Sequence, residues 1–275
     1  MHSSLPHWAD WLRAAERSES TIKVRRYHVE RYLDSLDTGV DPLSLDAMSA
    51  FLATPRWSSS YRRSIRTSLG LWTTWMHRTG RIAEDPLIHL PKAPPPRALP
   101  RPCPEVVIRT ALQQASTRVA AMIQLAAGAG LRRSEIAVVH EDDLAPDLLG
   151  WSLLVHGKGR RERTVPLSSD VLAAIRRQLH DADTDTGWLF PSSGRWADTH
   201  LQPIAVGKLI NSALPGAWTA HSLRHRFATQ AYAGCHDLLL VQTLLGHSKP
   251  ETTQIYVGLD TSQARPLVQS ISIAA

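Results

Sequence analysis

Nothing in this chain supplies a disulfide framework or a structural zinc. Its two cysteines, Cys103 and Cys235, show neither CxxC spacing nor a histidine partner at zinc-finger spacing. A reducing, cytoplasmic setting is expected. The N-terminus, Met1-His2-Ser3-Ser4-Leu5-Pro6-His7-Trp8, lacks a basic region followed by an apolar run, and no stretch approaches the ~20 apolar residues of a membrane span. No export and no membrane partner are therefore expected. His221 and His225 have the i, i+4 spacing of a metal pair, but no Glu follows His221 and no third ligand is evident, so no metal and no cofactor are expected. The absence of any repeat at solenoid period excludes a stacked-repeat scaffold.

What the chain does have is length, positive charge and a block of proline. Its 275 residues suffice for two domains, each with its own core. The net charge of +6, carried mostly by arginine, points to a polyanionic partner, because planar guanidinium forks suit bidentate phosphate contact and release counterions. The run from Leu90 to Pro104 holds Pro91, Pro94, Pro95, Pro96, Pro100, Pro102 and Pro104, which forbid helix interior and sheet ladder alike. It predicts a linker over 91–104 between a domain at 1–90 and a second at 105–260, with a tail over 261–275.

The first domain reads as helical throughout. Trp8, Trp11, Leu12 and Ala15 recur at helical spacing. Ser20 is a candidate cap for a helix carrying Ile22, Val24, Tyr27, Val29, Leu33 and Leu36, Asp46 for one over Ala47 to Ala53, and Ser58 to Ser60 open a longer helix that Gly80 ends. Lys23, Arg25 and Arg26 on the second helix, with Arg62, Arg63 and Arg66 on the last, form basic faces that read either as solvated surface or as DNA-backbone contacts. The second domain predicts helices at 105–115, 118–127, 170–179, 204–213, 223–232, 237–245 and 251–257, and a β-hairpin of Trp151–His156 and Arg163–Leu167 around Gly157-Lys158-Gly159.

The most specific stretches are Gly130-Leu131-Arg132-Arg133-Ser134-Glu135, His156-Gly157-Lys158-Gly159-Arg160, His221-Ser222-Leu223-Arg224-His225, Leu245-Gly246-His247-Ser248, and Thr252-Thr253-Gln254-Ile255-Tyr256. Taken alone, Tyr256 reads as a half-buried core residue. A tyrosine with a cationic cluster upstream suggests instead phosphoryl transfer on DNA, which needs a nucleophile, charge neutralisation at the non-bridging oxygens and a proton for the departing 5′ oxygen. In content and order the set resembles the tyrosine recombinase (phage integrase) family over about residues 105–260. The resemblance implies Tyr256 as the nucleophile forming a 3′-phosphotyrosyl link, and Arg132 and Arg224 as the phosphate clamp. It implies Lys158 as general acid, His247 as a phosphate hydrogen-bond donor, and His221 as an aid to proton movement at the tyrosine. Glu135, three residues past Arg132, is placed to orient that arginine. Arg160 and Arg163 read as phosphate-contacting or solvated neighbours, Arg163 also closing the hairpin. Ala129 stands where the family more usually has Thr, and the Leu-Arg-Arg-Ser-Glu phase assigns the motif to Arg132 rather than Arg133.

The implied fold is mainly α: an N-terminal all-α, SAM-like core-binding bundle, then a mainly helical catalytic domain with a small antiparallel β-sheet. The implied activity is site-specific, metal-independent recombination of double-stranded DNA sites by a nucleoid-associated homotetramer, with the tail either exchanged between protomers or packed in cis, and an excision or DNA-bending accessory protein as a further partner. The expected role is the integrase of a phage or other mobile element. The alternatives are a Xer-like resolvase, disfavoured by Val257-Gly258-Leu259-Asp260 lacking a histidine, a type IB topoisomerase, and a catalytically silent DNA-binding accessory factor.

Overall fold

The computed structural model describes residues 1–91, 101–157, 161–182, 186–193 and 198–246. The chain divides into two units, Met1–Ala98 and Leu99–Ala275, each with its own apolar cluster. No helix among the described residues is long and apolar enough to cross a membrane.

The first unit holds four helices, α1 (Leu5–Ala14), α2 (Glu19–Leu33), α3 (Leu45–Leu52) and α4 (Ser59–Arg78), followed by a short 3-10 turn at Pro86–His89. In α1, Leu5, Trp8 and Leu12 recur on one face and are buried. In α4, Ile65, Leu69, Trp72 and Met76 do the same. Ser58 caps α4 by accepting the Tyr61 amide (3.2 Å), and Gly80 just beyond it takes the left-handed conformation (φ 69°) that stops a helix. Two expected caps shift. The N-cap of α2 is Ser18 rather than Ser20, and that of α3 is Ser44, whose hydroxyl accepts the Ala47 amide (3.4 Å), so Asp46 falls inside the first turn where its charge suits the helix dipole. Tyr32 is wholly buried and donates its hydroxyl to the Pro42 carbonyl (2.9 Å); burial pushes its phenol up to about 12.

The second unit is mainly helical around α6. Its helices are α5 (Glu105–Gln114), α6 (Thr117–Gly128), the single turn α7 (Arg133–Ile136), α8 (Ser169–Ala182), α9 (Pro203–Ala213), α10 (Ala220–Cys235) and α11 (Leu238–Leu245). The expected hairpin is present as β2 (Trp151–His156) and β3 (Glu162–Leu167), and an unforeseen β1 (Leu144–Pro146) pairs with β2 to complete an antiparallel β1-β2-β3 sheet. Leu153 faces Val165 and Val155 faces Arg163 across the hairpin. Cys103, near the end of the proline-rich run, is buried in this unit's core, and its amide donates to the Ser222 carbonyl (3.1 Å). Residues 92–100, the segment expected as the helix 251–257 and the tail 261–275 lie outside the described residues.

Candidate active site

The site begins where α6 ends. Gly130 adopts φ 69°, and a Cβ there would stand 2.4 Å from the Phe227 ring, so only glycine lets the chain turn this closely against α10. The turn buries Leu131 and delivers Arg132 to the N-cap of α7. Glu135, at the third helical position, accepts the Arg132 amide (2.8 Å), so the carboxylate is aimed back over the motif.

That carboxylate, 2% exposed, organises three guanidiniums. Arg132 Nη1 lies 2.5 Å from Oε1, Arg163 binds both oxygens (Nη1 to Oε1 3.0 Å, Nη2 to Oε2 2.9 Å), and Arg224 Nη1 stands 3.5 Å from Oε2. Burial pushes the Glu135 carboxyl up, but the Arg163 hydrogen bond, the Arg132 amide and the two guanidinium charges outweigh it, and the group stays below the usual carboxylate range. It is therefore an anion at neutral pH.

The same three arginines take three consecutive carbonyls at the end of α11. Arg163 Nε donates to Leu244 (2.7 Å), Arg224 Nη2 to Leu245 (2.6 Å) and Arg132 Nη2 to Gly246 (3.3 Å). A helix C-terminus leaves such carbonyls without intrahelical partners and carries partial negative charge, so cations belong there. Arg224 also donates to the Gly130 carbonyl (2.5 Å), closing the ring back to the motif turn.

Helix α10 already runs at Ala220, capped by Thr219, which accepts the Ser222 amide (3.4 Å). His221 and Arg224, three residues apart, therefore share a face. They open, with Arg132, Arg133, Asn211 and Thr219, on a cleft of about 430 Å³. The Arg132 side chain is 36% exposed, against 3% for Arg224 and 8% for Arg163. Partial desolvation of its ring, then the Arg224 and Arg132 charges, hold His221 below the usual imidazole value, which keeps it neutral at neutral pH. His225 packs edge-on against it with ring centroids 4.1 Å apart; burial, His221 and Arg224 push His225 down to about 4. Among the described residues no three of His, Cys, Asp and Glu gather as a metal ligand set.

Arg132, Glu135, His221 and Arg224 thus come together. Lys158, Arg160, His247 and Tyr256 lie outside the described residues; the flanking Gly157 amide donates to Arg161 (2.7 Å), and Gly246 precedes His247. Arg163 departs from its expected role. It neither closes the hairpin, where His156 faces Glu162, nor reaches outward for phosphate, because its guanidinium is consumed by Glu135 and Leu244. Strand parity carries that signal, since Arg163 is two residues from the buried Val165 and so shares its face. Sequence reasoning also missed His156, whose ring bridges Asp143 (2.7 Å) and Glu162 (3.1 Å); the Asp143 hydrogen bond raises its affinity for a proton.

In the first unit Lys23 is exposed, while Arg26 pairs with Glu30 (2.9 Å) and Arg63 is half-buried. Arg25 donates to Ser64 O (2.9 Å) and Ser68 Oγ (3.0 Å), Arg62 to the Thr54 carbonyl (3.1 Å), and Arg66 to the Leu90 carbonyl. These three guanidiniums brace their own unit as well as charging its surface.

The phage integrase family matches residues 105–263. Tyrosine recombinase XerA of Pyrococcus horikoshii is 28% identical over 273 residues, covering 98% of this chain and 93% of the relative. Tyrosine recombinase XerD of Caulobacter vibrioides is 37% identical over 211 residues, covering 70% of this chain and 68% of the relative. In fold, the chain is similar to a lambda integrase dimer bound to a COC′ core site, with a TM-score of 0.74 at 16% identity over 93% of this chain and 76% of that one.

Proposed function

The chain belongs to the phage integrase family and is a tyrosine-type site-specific recombinase, and from that premise we propose which residues cut and rejoin double-stranded DNA. The Tyr256 oxygen attacks the scissile phosphorus, giving its proton toward neutral His221. The bond from phosphorus to the 5′ oxygen breaks, and Lys158 supplies the proton that the departing oxygen needs. Arg132 and Arg224, held by Glu135, stabilise the non-bridging oxygens as charge builds on them, and His247 adds a hydrogen bond. The 3′-phosphotyrosyl link keeps the phosphodiester energy, and a 5′ hydroxyl from another strand reverses the steps.

The observation that carries this reading is the convergence of Arg132, Arg224 and His221 on one cleft, with their supporting carboxylate buried behind them. The first unit serves as the core-binding domain, with Lys23, Arg26 and Arg63 on the DNA backbone and Arg25, Arg62 and Arg66 adding charge. Arg160, beside Lys158, contacts phosphate. Four protomers act together on paired sites, residues 261–275 packing onto a neighbour, with an excision or bending protein setting direction. An integrase of a mobile element is the favoured role. A Xer-like resolvase is the second reading, supported by the nearly full-length match to a recombinase of that name.

The test is a nicked duplex built from DNA flanking the gene, incubated with the protein without added metal and resolved on a denaturing gel. Wild type is expected to form a covalent adduct that Tyr256→Phe does not. An adduct that survives Tyr256→Phe overturns the nucleophile, and specific binding with no adduct favours the silent binder. Integration and excision, assayed on separate and paired sites, then divide the integrase from the resolvase.

A further inference from the structure

Arg163 lies outside the clamp and outside the set that the proposed chemistry uses, yet all three of its guanidinium nitrogens are engaged in the site. Its three nitrogens reach two elements while its backbone belongs to a third: Nη1 and Nη2 grip both oxygens of Glu135 on α7, Nε holds the Leu244 carbonyl at the end of α11, and the residue itself sits on β3. At 8% exposure the side chain has no face left for a phosphate. The contact with α11 is tight. Gly246 sits at φ 61°, and a Cβ there would come within 3.0 Å of Arg163 Nη1. Lysine keeps the charge but not the fork, since one ammonium cannot span a carboxylate and a carbonyl on separate elements.

We propose that Arg163 is a positioning residue, which locks the carboxylate that aims Arg132 and fixes the end of α11 from which the segment carrying His247 and Tyr256 departs. It acts through those residues and touches no DNA. This rests on the roles proposed above for Arg132, His247 and Tyr256. The distinguishing consequence is a split between binding and chemistry, because the positive surface survives Arg163→Lys while the placement of the reacting groups does not.

The experiment compares wild type, Arg163→Lys and Tyr256→Phe as full chains on the nicked duplex from the flanking DNA. Affinity is measured separately from the single-turnover rate of adduct formation, and amide exchange is followed along α11. In Arg163→Lys, affinity is expected to stay near that of wild type while adduct formation slows on the order of 100-fold, the scale of about an ångström of misplacement. The last-turn amides of α11 are expected to exchange about tenfold faster while those of α8 do not change. Gly246→Ala keeps the charges and drives a methyl against Arg163, so it is expected to slow the adduct likewise, which covers the case in which Arg163→Lys does not fold. Wild-type adduct rates in both variants overturn the inference, as does a loss confined to affinity. If wild type itself forms no Tyr256-dependent adduct, the functional reading has failed instead, and unchanged exchange in α11 still sinks the positioning role.

Discussion

In the first unit the interior is filled by large rings, Trp8, Tyr32 and Trp72, all fully buried. In the second it is lined by Ala121, Ile123, Leu125 and Ala126 of α6, with Glu135 and Arg224 at 2% exposure beside them. Aromatic residues remove much area from water per residue, which a unit of fewer than a hundred residues needs. Small side chains on α6 let α8 and α10 approach, and that closeness brings Phe227 against Gly130 and Arg224 to the Gly130 carbonyl. The interior of the first unit is mainly apolar area. The second places charge in its interior, which destabilises unless every partner is present. A scaffold that only holds a surface has no need of that arrangement; a site that must aim cations does.

The sharpest way to break this contrast is Glu135→Ala. It leaves Arg163 and Arg224 buried without their anion, and the second unit is expected to lose about 3–5 kcal/mol. Trp72→Ala is expected to cost the first unit a comparable ~3–5 kcal/mol by cavity formation. Calorimetry should show each variant lowering its own transition, and equal lowering of both would deny that the units are stabilised separately. Gly130→Ala combines a left-handed backbone with a clash against Phe227 and is expected to cost the second unit about 2–4 kcal/mol, read from urea midpoints.

Acid should act next. His225 holds a folded value of about 4, below its ordinary 6.5, so the unfolded chain binds the extra proton between those values. Stability from this residue is complete above pH 6.5 and is lost as pH falls toward 4, on the order of 3 kcal/mol in all. A His225→Gln variant should flatten the acid limb of the second unit's stability against pH. His156, whose value is raised, has the opposite sign, its contribution being present in acid and fading as pH climbs through the folded value. The smallest effect on folding is expected at Lys23→Ala, within about 0.5 kcal/mol, because the side chain is exposed. There the contrast is sharpened by salt. The slope of DNA affinity against salt should drop by about 1 with folding intact, and an unchanged slope would remove Lys23 from the DNA face.

Much of this architecture was legible because it follows from local chemistry. Apolar spacing in α1 and α4, the serine before α4 and the glycine after it are signals that no tertiary context overrides. Glu135 was legible as a partner of Arg132 because three residues on a starting helix is a capping distance. Strand β1 was not, although it joins β2 through the tight turn from Asp147 to Gly150, because it is only three residues long and ends in Pro146, too short for alternation to show and with a residue that strands disfavour. Serine caps were misplaced by two residues where several hydroxyls or carboxylates compete, as at Ser18 and Ser20 or Ser44 and Asp46. The inward turn of Arg163 was missed for a different reason. Residue type argued for the surface, strand parity for the core, and burial followed parity because an anion and a helix end were waiting there.

The carboxylate of Glu135 also decides when disorder is removed. A free arginine side chain carries about 2 kcal/mol of rotamer entropy, which a flexible phosphate-binding arginine forfeits on meeting its ligand. Here Arg132 and Arg224 are already held by Glu135 and by the backbone of α11 before any phosphate arrives. Their freedom is surrendered during folding, once for the lifetime of the molecule, and not at each encounter with DNA. On the functional reading proposed, strand after strand then meets a clamp whose side-chain ordering is a property of the fold, and the barrier to each exchange no longer contains it.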